Sequence, residues 1–177
     1  MTPVNPTFRL ETERLSMRWL TLEDADLMLS VWNDPAFIQH VGDRGIRSVD
    51  EAHETLANGA FKLYEDYGYG PYRVALTSDG TAIGTCGLFR REGFDDPDIG
   101  YSILPEFCGR GYAYEAACSV LEYARSELQL PRITAFISPG NAASIGLAEK
   151  LGLQFERAAR LAGEDEDARL YSMAMQD

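Results

Sequence analysis

Hydrophobic residues recur along the chain with two periods, one of two residues and one of three to four. Residues 14–20, RLSMRWL, alternate polar and apolar positions, which predicts a half-buried strand. Thr21 stands three residues before Asp24, a variant of the capping box, and predicts a helix that continues to about Asn33. We expect Asp34-Pro35 to end that helix, because the residue before a proline is disfavoured in helical backbone.

After this helix the pattern predicts more strands than helices. Ser48 and Glu51 form a second capping box, ahead of a helix expected to reach about Leu63. Apolar runs between turn residues predict strands at 72–76, 82–89, 99–104, 132–137, 153–161 and 168–175. Apolar residues at helical spacing predict two further helices, at 112–128 and 142–151.

The order of these elements indicates the fold class. We expect an α/β (α+β) fold with a mixed, mostly antiparallel central sheet of about seven strands, flanked by about four helices. One parallel crossover is expected, through the helix at 112–128. The sequence has no internal repeat and no low-complexity linker, and 177 residues suffice for one sizeable core. A single domain over residues 1–177 is therefore predicted.

Composition narrows the function. Apolar residues make up 45% and charged residues 25%, as in ordinary globular proteins. The net charge of −12 disfavours nucleic acid as a partner, because phosphate backbones select basic proteins. It suits a cationic acceptor such as an amine, although solubility alone also explains an acidic surface.

The cysteines and histidines exclude several kinds of site. Cys86, Cys108 and Cys118 form no CxxC pair, so a disulfide scaffold is not expected and a reducing, cytoplasmic location fits best. The first residues do not resemble a signal peptide, and no apolar run has membrane-spanning length, so no membrane association is expected. His40 and His53 lie far apart without an acidic or cysteine cluster, so no metal site is predicted.

The clearest chemical signal is Gly109-Arg110-Gly111, between a predicted strand and a predicted helix. Glycines let the backbone aim several amide groups at one point, and the helix N-terminus adds its positive dipole end. Such a loop can hold a diphosphate, although short glycine loops also serve only to tighten a connection. It matches neither G-x-G-x-x-G nor the G-K-[ST] loop, so a cofactor other than a dinucleotide or a P-loop nucleotide is indicated.

Two separated motifs carry a family resemblance. DIGYSILPEFCGRGYAYEA and, about thirty residues later, ISPGNAASIGLAEKLGLQFE resemble the GNAT superfamily of acetyl-CoA-dependent N-acetyltransferases. The opening LETERLSMRWLTLEDADLM and the WNDP segment are most similar to its ribosomal-protein N-terminal branch, the RimJ/RimL type. The resemblance covers nearly the whole chain. It implies acetyl-CoA as the cofactor, a peptide N-terminus or a small amine as the acceptor, and homodimers as a common state.

The resemblance also assigns cofactor-binding residues. Backbone groups of Ser102, Ile103 and Leu104 would bond the pantetheine arm, and the cofactor would enter a gap beside the strand at 132–137. Asn141 would bond the pantetheine or phosphate region, and Ser144 would lie near the thioester. The pyrophosphate would be held by the loop residues Cys108, Gly109, Arg110, Gly111, Tyr112 and Ala113.

Two residues are expected to be catalytic. Asp98 is the candidate base, because many superfamily members have a carboxylate at the start of this strand; a turn residue after Pro97 is the alternative. Ser144 is the candidate for positioning or protonating the thiol, with helix capping as the alternative. Tyr101 and Tyr112 are interpreted as packing residues more readily than as walls of the site.

The sequence departs from the family pattern at two positions. Glu106 replaces the usual Gln or Arg of the loop, and we expect its carboxylate to point away from a phosphate. Ala148 replaces the tyrosine that acts as general acid in many members. An acyl-CoA-binding regulatory module without turnover is therefore the alternative to an enzyme, and a nucleotide-binding protein is a weaker one.

The last hairpin carries an acidic run, 164–167. It is interpreted as a solvated loop, with a cation-recruiting rim as the alternative.

Overall fold

The computed structural model describes residues 5–176. In this part of the chain, eight strands form one sheet in the order β1-β2-β3-β4-β5-β6-β8-β7. All neighbouring strands are antiparallel except β5 and β6, which are parallel. The strands are β1 Leu10–Glu11, β2 Leu15–Trp19, β3 Pro71–Leu76, β4 Ala82–Phe89, β5 Asp98–Ile103, β6 Arg132–Ile137, β7 Gln154–Ala159 and β8 Ala168–Ala174. The predicted mixed, mostly antiparallel sheet is confirmed.

Six α-helices accompany the sheet within the described residues. They are α1 Ala25–Trp32, α2 Pro35–His40, α3 Val49–Asn58, α4 Ala60–Tyr67, α5 Tyr112–Ser126 and α6 Ala142–Leu151. Helix α5 is the parallel crossover between β5 and β6, as expected. None of the helices in residues 5–176 combines the length and the apolar character needed to cross a bilayer.

The structure differs from the predicted elements at three places. The helix predicted from Ser48 is two helices, because the backbone leaves helical geometry at Gly59, with φ −114° and ψ −90°. The first helix ends before Asp34-Pro35 as predicted, but Pro35 then occupies the first turn of α2, a helix that was not predicted, where its missing N–H costs nothing. Strand β1 was not predicted, since it has only two residues and forms by pairing with β2.

The helices lie on both faces of the sheet. Tyr72, Cys86 and Tyr101 are directly opposite one another across β3, β4 and β5, so their side chains share one face. This is the α5 face, since Phe8 lies between the rings of Tyr72 and Tyr123 of α5. Residues of the other parity, including Asp98, point to the opposite face, which we call the α1 face.

Buried side chains from both faces form the core, including Leu15, Met17, Tyr72, Ile83, Leu88, Val120, Ile133 and Tyr171. On the α1 face, Asp24 at the start of α1 accepts a bidentate hydrogen bond from Arg18 of β2, with distances of 2.8 and 2.9 Å. Arg73 of β3 lies 3.5 Å from the same carboxylate. These ion pairs fix α1 against the sheet, which places the helices that surround the site.

Candidate active site

The site begins where β5 and β6 separate. Only one residue pair, Asp98 and Thr134, is in register between them in the described chain, and Thr134 N–H donates to Pro97 O at 3.0 Å. Beyond it the two strands no longer pair, although each continues for several residues. A gap therefore opens in the middle of the sheet, beside β6 as expected.

Strand alternation decides which backbone groups of β5 face this gap. Leu104 N–H donates to Ile83 O of β4 at 2.8 Å, and Ser102 O lies against Gly84 of β4. Since N–H and C=O groups of successive strand residues point to opposite sides, those of Tyr101 and Ile103 point to the gap. Leu104 O also has a partner, Phe107 N. The backbone groups of Ser102 and Leu104 point to β4, so the expectation that they bond the pantetheine arm is wrong. The backbone groups of Ile103 face the gap and remain available for it.

The glycine loop ends in an open helix N-terminus. Gly109 and Gly111 have φ of +77° and +81°, a region that favours glycine, and Gly111 is the N-cap of α5. No side chain caps this helix. The amide groups of residues 109–114 donate no hydrogen bond to the described part of the chain. Several N–H donors and a positive dipole end are thus directed outward together, which fits a diphosphate.

Cys108 does not belong to this set of free amides. Its N–H donates to Pro105 O at 3.2 Å, and its thiol donates to Ile103 O at 3.4 Å. Burial raises the pKa of the Cys108 thiol, and Asp34 and Glu106 raise it further, so a thiolate nucleophile is disfavoured. The expectation that the Cys108 amide binds the pyrophosphate is therefore wrong, because this amide already donates to Pro105 O. Glu106 is exposed, in the short helical turn before the loop.

An arginine that the sequence reasoning overlooked holds the loop. Arg14, just before β2, donates from Nε to Glu115 Oε2 at 2.7 Å and from Nη1 to Arg110 O at 2.9 Å. Its guanidinium lies over the Tyr112 ring at 4.5 Å. Glu115 also accepts from Thr12 Oγ1 and from Arg14 N, and these hydrogen bonds lower the pKa of its carboxyl against the opposing effect of burial. No local pattern marks Arg14, because its partners are about one hundred residues away.

The first turn of α6 closes the α5 side of the gap. Asn141 caps this helix, with Oδ1 accepting from Ser144 N at 3.2 Å, and both residues line the cavity described below. The Tyr101 hydroxyl donates to Ser144 O at 3.3 Å. Burial raises the pKa of Tyr101 to about 12, so the phenol stays protonated at neutral pH. Ala148 is buried one turn after Ser144 and supplies no acid.

Asp98 lies on the α1 face of the gap, and only 1% of its surface is accessible to solvent. Oδ2 pairs with Arg91 Nε at 3.2 Å, whereas Oδ1 is buried without a hydrogen-bond partner in the described structure. Burial raises the pKa of Asp98, and Arg91 opposes this shift. Asp98 is therefore a buried carboxylate with one oxygen free to take a proton, rather than a solvated turn residue.

One cavity of about 440 Å³ connects Asp98 with Tyr101 and Ser144. It is lined from the α1 face by Asp98, Ser102 and Thr85, and from the α5 side by Tyr101 and Ser144, so it passes through the gap in the sheet. The first four helices of the chain also contribute to its wall. A substrate on the α1 face and a cofactor entering from the glycine loop could therefore meet inside the sheet.

Comparison with known proteins identifies the family. Residues 14–154 match the family described as "Acetyltransferase (GNAT) domain". YkkB of Bacillus subtilis (strain 168) is 30% identical over 160 residues, covering 89% of this chain and 91% of its own length. The Bacillus licheniformis protein p20, named as an uncharacterized N-acetyltransferase, is 29% identical over 152 residues, covering 83% of each chain.

Solved structures show the same fold. An acetyltransferase from Agrobacterium tumefaciens str. C58 superposes with a TM-score of 0.79 at 26% identity, and the match covers 94% of each chain. The family match spans the gap, the glycine loop and the start of α6, which are the parts that fit the cofactor. The chain belongs to the GNAT family and is an acetyl-CoA-dependent acyltransferase.

Proposed function

We propose that the protein is an N-acetyltransferase that moves the acetyl group of acetyl-CoA directly to a primary amine, with both substrates bound at once. The observation that carries the proposal is the cavity through the gap in the sheet, which is lined by Asp98 on one face and by Tyr101 and Ser144 on the other, while the open N-terminus of α5 follows the far end of β5. Acetyl-CoA supplies an activated thioester; the chain supplies binding, orientation and proton transfer. The proposal treats residues 1–177 as one catalytic domain.

On the cofactor side, the amides of Gly109, Arg110, Gly111, Tyr112 and Ala113 would bind the pyrophosphate, with charge from the Arg110 side chain. The gap-facing backbone groups of Tyr101 and Ile103 would bond the pantetheine amides by strand-like pairing. A backbone N–H at this edge also serves to hold the negative charge that develops on a carbonyl oxygen under attack. Asn141 and Ser144 would border the thioester.

Asp98 Oδ1 is the proposed proton acceptor. A bound alkylammonium must lose a proton before it attacks, since its pKa lies near ~8 for an α-amine and near ~10.4 for a lysine side chain. The raised pKa of Asp98 makes it a stronger base than a solvated aspartate, and Arg91 opposes the rise by favouring the charged form. The proton would pass to Oδ1 directly or through water.

Tyr101 is the proposed partner of the leaving thiolate. It would take over the role of the tyrosine that many family members have at the position of Ala148. Its hydroxyl lies at the start of α6 beside Ser144, on the cofactor side of the cavity. With a pKa of about 12 it would keep its proton, and turning this O–H from Ser144 O to the sulfur would stabilise the thiolate by a hydrogen bond. Ser144 keeps its proposed positioning role.

Similar proteins are named for two different classes of acceptor. YdaF of Bacillus subtilis (strain 168), provisionally named a ribosomal N-acetyltransferase, is 30% identical over 117 residues, which supports the RimJ/RimL branch. A spermidine N-acetyltransferase from Vibrio cholerae, solved with CoA and spermine, shares the fold at 20% identity. A peptide N-terminus and a small amine are therefore both acceptor classes to test. The free cysteines support a cytoplasmic location.

Kinetics with a broad amine panel test the proposal. We expect free coenzyme A to be released only when an amine is present, with intersecting initial-rate plots for the two substrates. Mass spectrometry of the protein should show no acetyl-enzyme. Tight coenzyme A binding without acetylation of any amine would favour the regulatory module instead, and parallel initial-rate plots with an acetylated protein would exclude direct transfer.

A further inference from the structure

The α1 side of the cavity is lined by more cationic than anionic side chains, although the chain carries a net charge of −12. Arg90 and Arg91 follow the end of β4, and Arg44 comes from the loop after α2. Lys62 of α4 also lies in the wall. Against these the wall offers two carboxylates, Asp66 and Asp98.

Two of these arginines have no carboxylate partner. Within residues 5–176, no carboxylate lies within ion-pair distance of Arg44 or Arg90, whereas Arg14, Arg18 and Arg132 elsewhere each have one. Arg44 lies over the Phe37 ring at 5.7 Å, and Arg90 lies over the Tyr67 ring at 4.8 Å. Contact with an aromatic face leaves the N–H groups at the edge of a guanidinium available to an anion.

Arg44 and Arg91 are close enough for each to disfavour the charge of the other. Desolvation lowers the pKa of Arg44 and so does the nearby charge of Arg91, while Glu164 at the tip of the β7–β8 hairpin opposes the effect. Arg44 is exposed, so solvent screens part of this repulsion, and an anion bound between the like charges would remove the rest. The folded protein therefore keeps an arrangement that a bound anion would stabilise.

The phosphates of the cofactor do not account for this cluster. Phe89, next to Arg90, is directly opposite Asp98, at the first residue of β5, whereas the glycine loop follows the last residue of β5. Five strand residues span roughly 17 Å at about 3.3 Å each, so the arginines lie near one end of the strand and the diphosphate loop beyond the other. The anion that Arg44 and Arg90 would bind must come with the acceptor.

We propose that the acceptor is a small primary amine that also carries an anionic oxygen group, a carboxylate or a phosphate, and that Arg44 and Arg90 bind this group. The inference rests on the proposed function, whose amine site it specifies. Bidentate guanidinium contacts would orient the acceptor, and its amine would then lie toward Asp98 and the gap. A polyamine would instead bring further positive charge against four cationic side chains.

Acceptor profiles and binding together test the inference. The panel contains the common amino acids and O-phosphoethanolamine as anionic amines, ethanolamine and amino acid amides as uncharged counterparts, spermidine, and short peptide amides beginning with Asp or Ala. We expect kcat/KM to be highest for an anionic small amine. Removing its anionic group should lower kcat/KM roughly 10- to 100-fold, the factor expected for charge-assisted hydrogen bonds. Comparing kcat/KM for the amino acids with kcat/KM for O-phosphoethanolamine shows whether the site prefers a carboxylate or a phosphate.

Variants locate the anion site. Arg44→Gln and Arg90→Gln should each raise KM for the anionic amine about 10-fold or more, leaving ethanolamine turnover and coenzyme A affinity unchanged. Arg169→Gln is the matched control, since Arg169 lies over the Phe155 ring at 4.1 Å but outside the cavity. Calorimetry of the same amines with the coenzyme A complex reports anion binding independently of turnover.

The outcomes separate the two proposals. If spermidine, a neutral amine or an acidic peptide is the best acceptor, or if the arginine variants affect ethanolamine equally, the inference is overturned while the N-acetyltransferase stands. If anionic amines bind the coenzyme A complex in an Arg44-dependent manner but none is acetylated, the anion site stands and the proposed transferase function fails.

Discussion

Asp98 is the residue whose surroundings are hardest to explain by stability alone. Leaving a buried polar atom without a hydrogen bond costs about 1–3 kcal/mol, and Oδ1 of Asp98 is such an atom. Its raised pKa means that the folded protein disfavours the charged form. For an acid with a raised pKa, the stability contribution is greatest below its unfolded pKa and is lost as pH rises through the folded pKa. At neutral pH Asp98 therefore costs stability, as expected of a side chain kept for chemistry.

The Asp98→Asn variant should separate stability from activity. We expect kcat to fall on the order of 100-fold, the effect typical of a lost general base, with unchanged coenzyme A affinity. The acidic limb of the pH–rate profile should also disappear. The melting temperature of the variant, relative to the wild type, should rise as pH increases through the folded pKa of Asp98. Unchanged turnover would remove Asp98 from the mechanism.

Tyr101 is the second residue with a testable chemical role. Tyr101→Phe removes only the hydroxyl, so we expect kcat to drop about 5- to 10-fold, near the worth of one hydrogen bond, with little change in KM for acetyl-CoA. Tyr123→Phe, in the aromatic cluster under α5, is the control and should keep normal kinetics. If the two variants behave alike in a steady-state assay, Tyr101 is only a packing residue, as the sequence suggested.

At the scale of elements, the geometry of the glycine loop depends on a distant segment. Arg14 and Thr12, between β1 and β2, bond Glu115 in the first turn of α5, and Arg14 also bonds Arg110 O. These contacts satisfy a carboxylate and a carbonyl next to the open helix terminus. They leave the amides of the loop directed outward, so the start of the sheet contributes to the cofactor site.

Arg14→Gln should therefore weaken coenzyme A binding without preventing folding. We expect the dissociation constant measured by calorimetry to rise about 5- to 10-fold, the effect of one lost charge-assisted contact, with kcat at saturation nearly unchanged. Arg18→Gln is an unsuitable control because it leaves buried Asp24 short of a partner, so the exposed Arg125 is the better choice. Equal affinities of Arg14→Gln and Arg125→Gln would mean that the loop holds its shape alone.

The elements were predictable from sequence wherever one periodic pattern met a local stop signal. Arg132–Ile137 and Ala142–Leu151 match their predicted bounds, since turn residues and Gly152 delimit them. The break at Gly59 was not predicted, because the apolar spacing continues across it. The stop before Pro35 was predicted correctly, but helix α2 was not, because a proline that ends one helix serves equally well in the first turn of the next.

Within the site, the sequence predicted which elements carry the motif residues. It did not predict which backbone groups and side chains contact one another. Asn141 and Ser144 line the cavity and the glycine loop precedes α5, whereas their roles toward the cofactor stay predictions. Which groups of β5 face the gap depends on its register with β4, which corrected Ser102 and Leu104. Arg14 was missed, since its partners Glu115 and Arg110 are about one hundred residues away in the sequence.

At the scale of the whole molecule, charge is distributed against the overall trend. The chain carries 28 acidic and 16 basic side chains, yet the acceptor side of the cavity is rich in arginine. A net negative molecule repels both acetyl-CoA and an anionic acceptor at long range, and salt screens this repulsion within about 10 Å at 0.1 M ionic strength. The arginines then act at short range, where the acceptor meets the wall of the cavity. Local complementarity rather than net charge would decide which amine is used.

A substitution in the acidic tip of the β7–β8 hairpin can distinguish an anionic acceptor from a cationic one. Glu164 is close enough to Arg44 to oppose the lowering of the guanidinium pKa by desolvation and by Arg91, so it competes with an anionic acceptor for the same charge. Glu164→Gln should therefore lower KM for the anionic amine roughly two- to fivefold, the range for a partly exposed charge pair, and the effect should shrink at high salt. Asp79→Asn, in the β3–β4 turn, is the control for net charge alone. A cation-recruiting rim requires the opposite result, a higher KM for spermidine in Glu164→Gln with no gain for anionic amines.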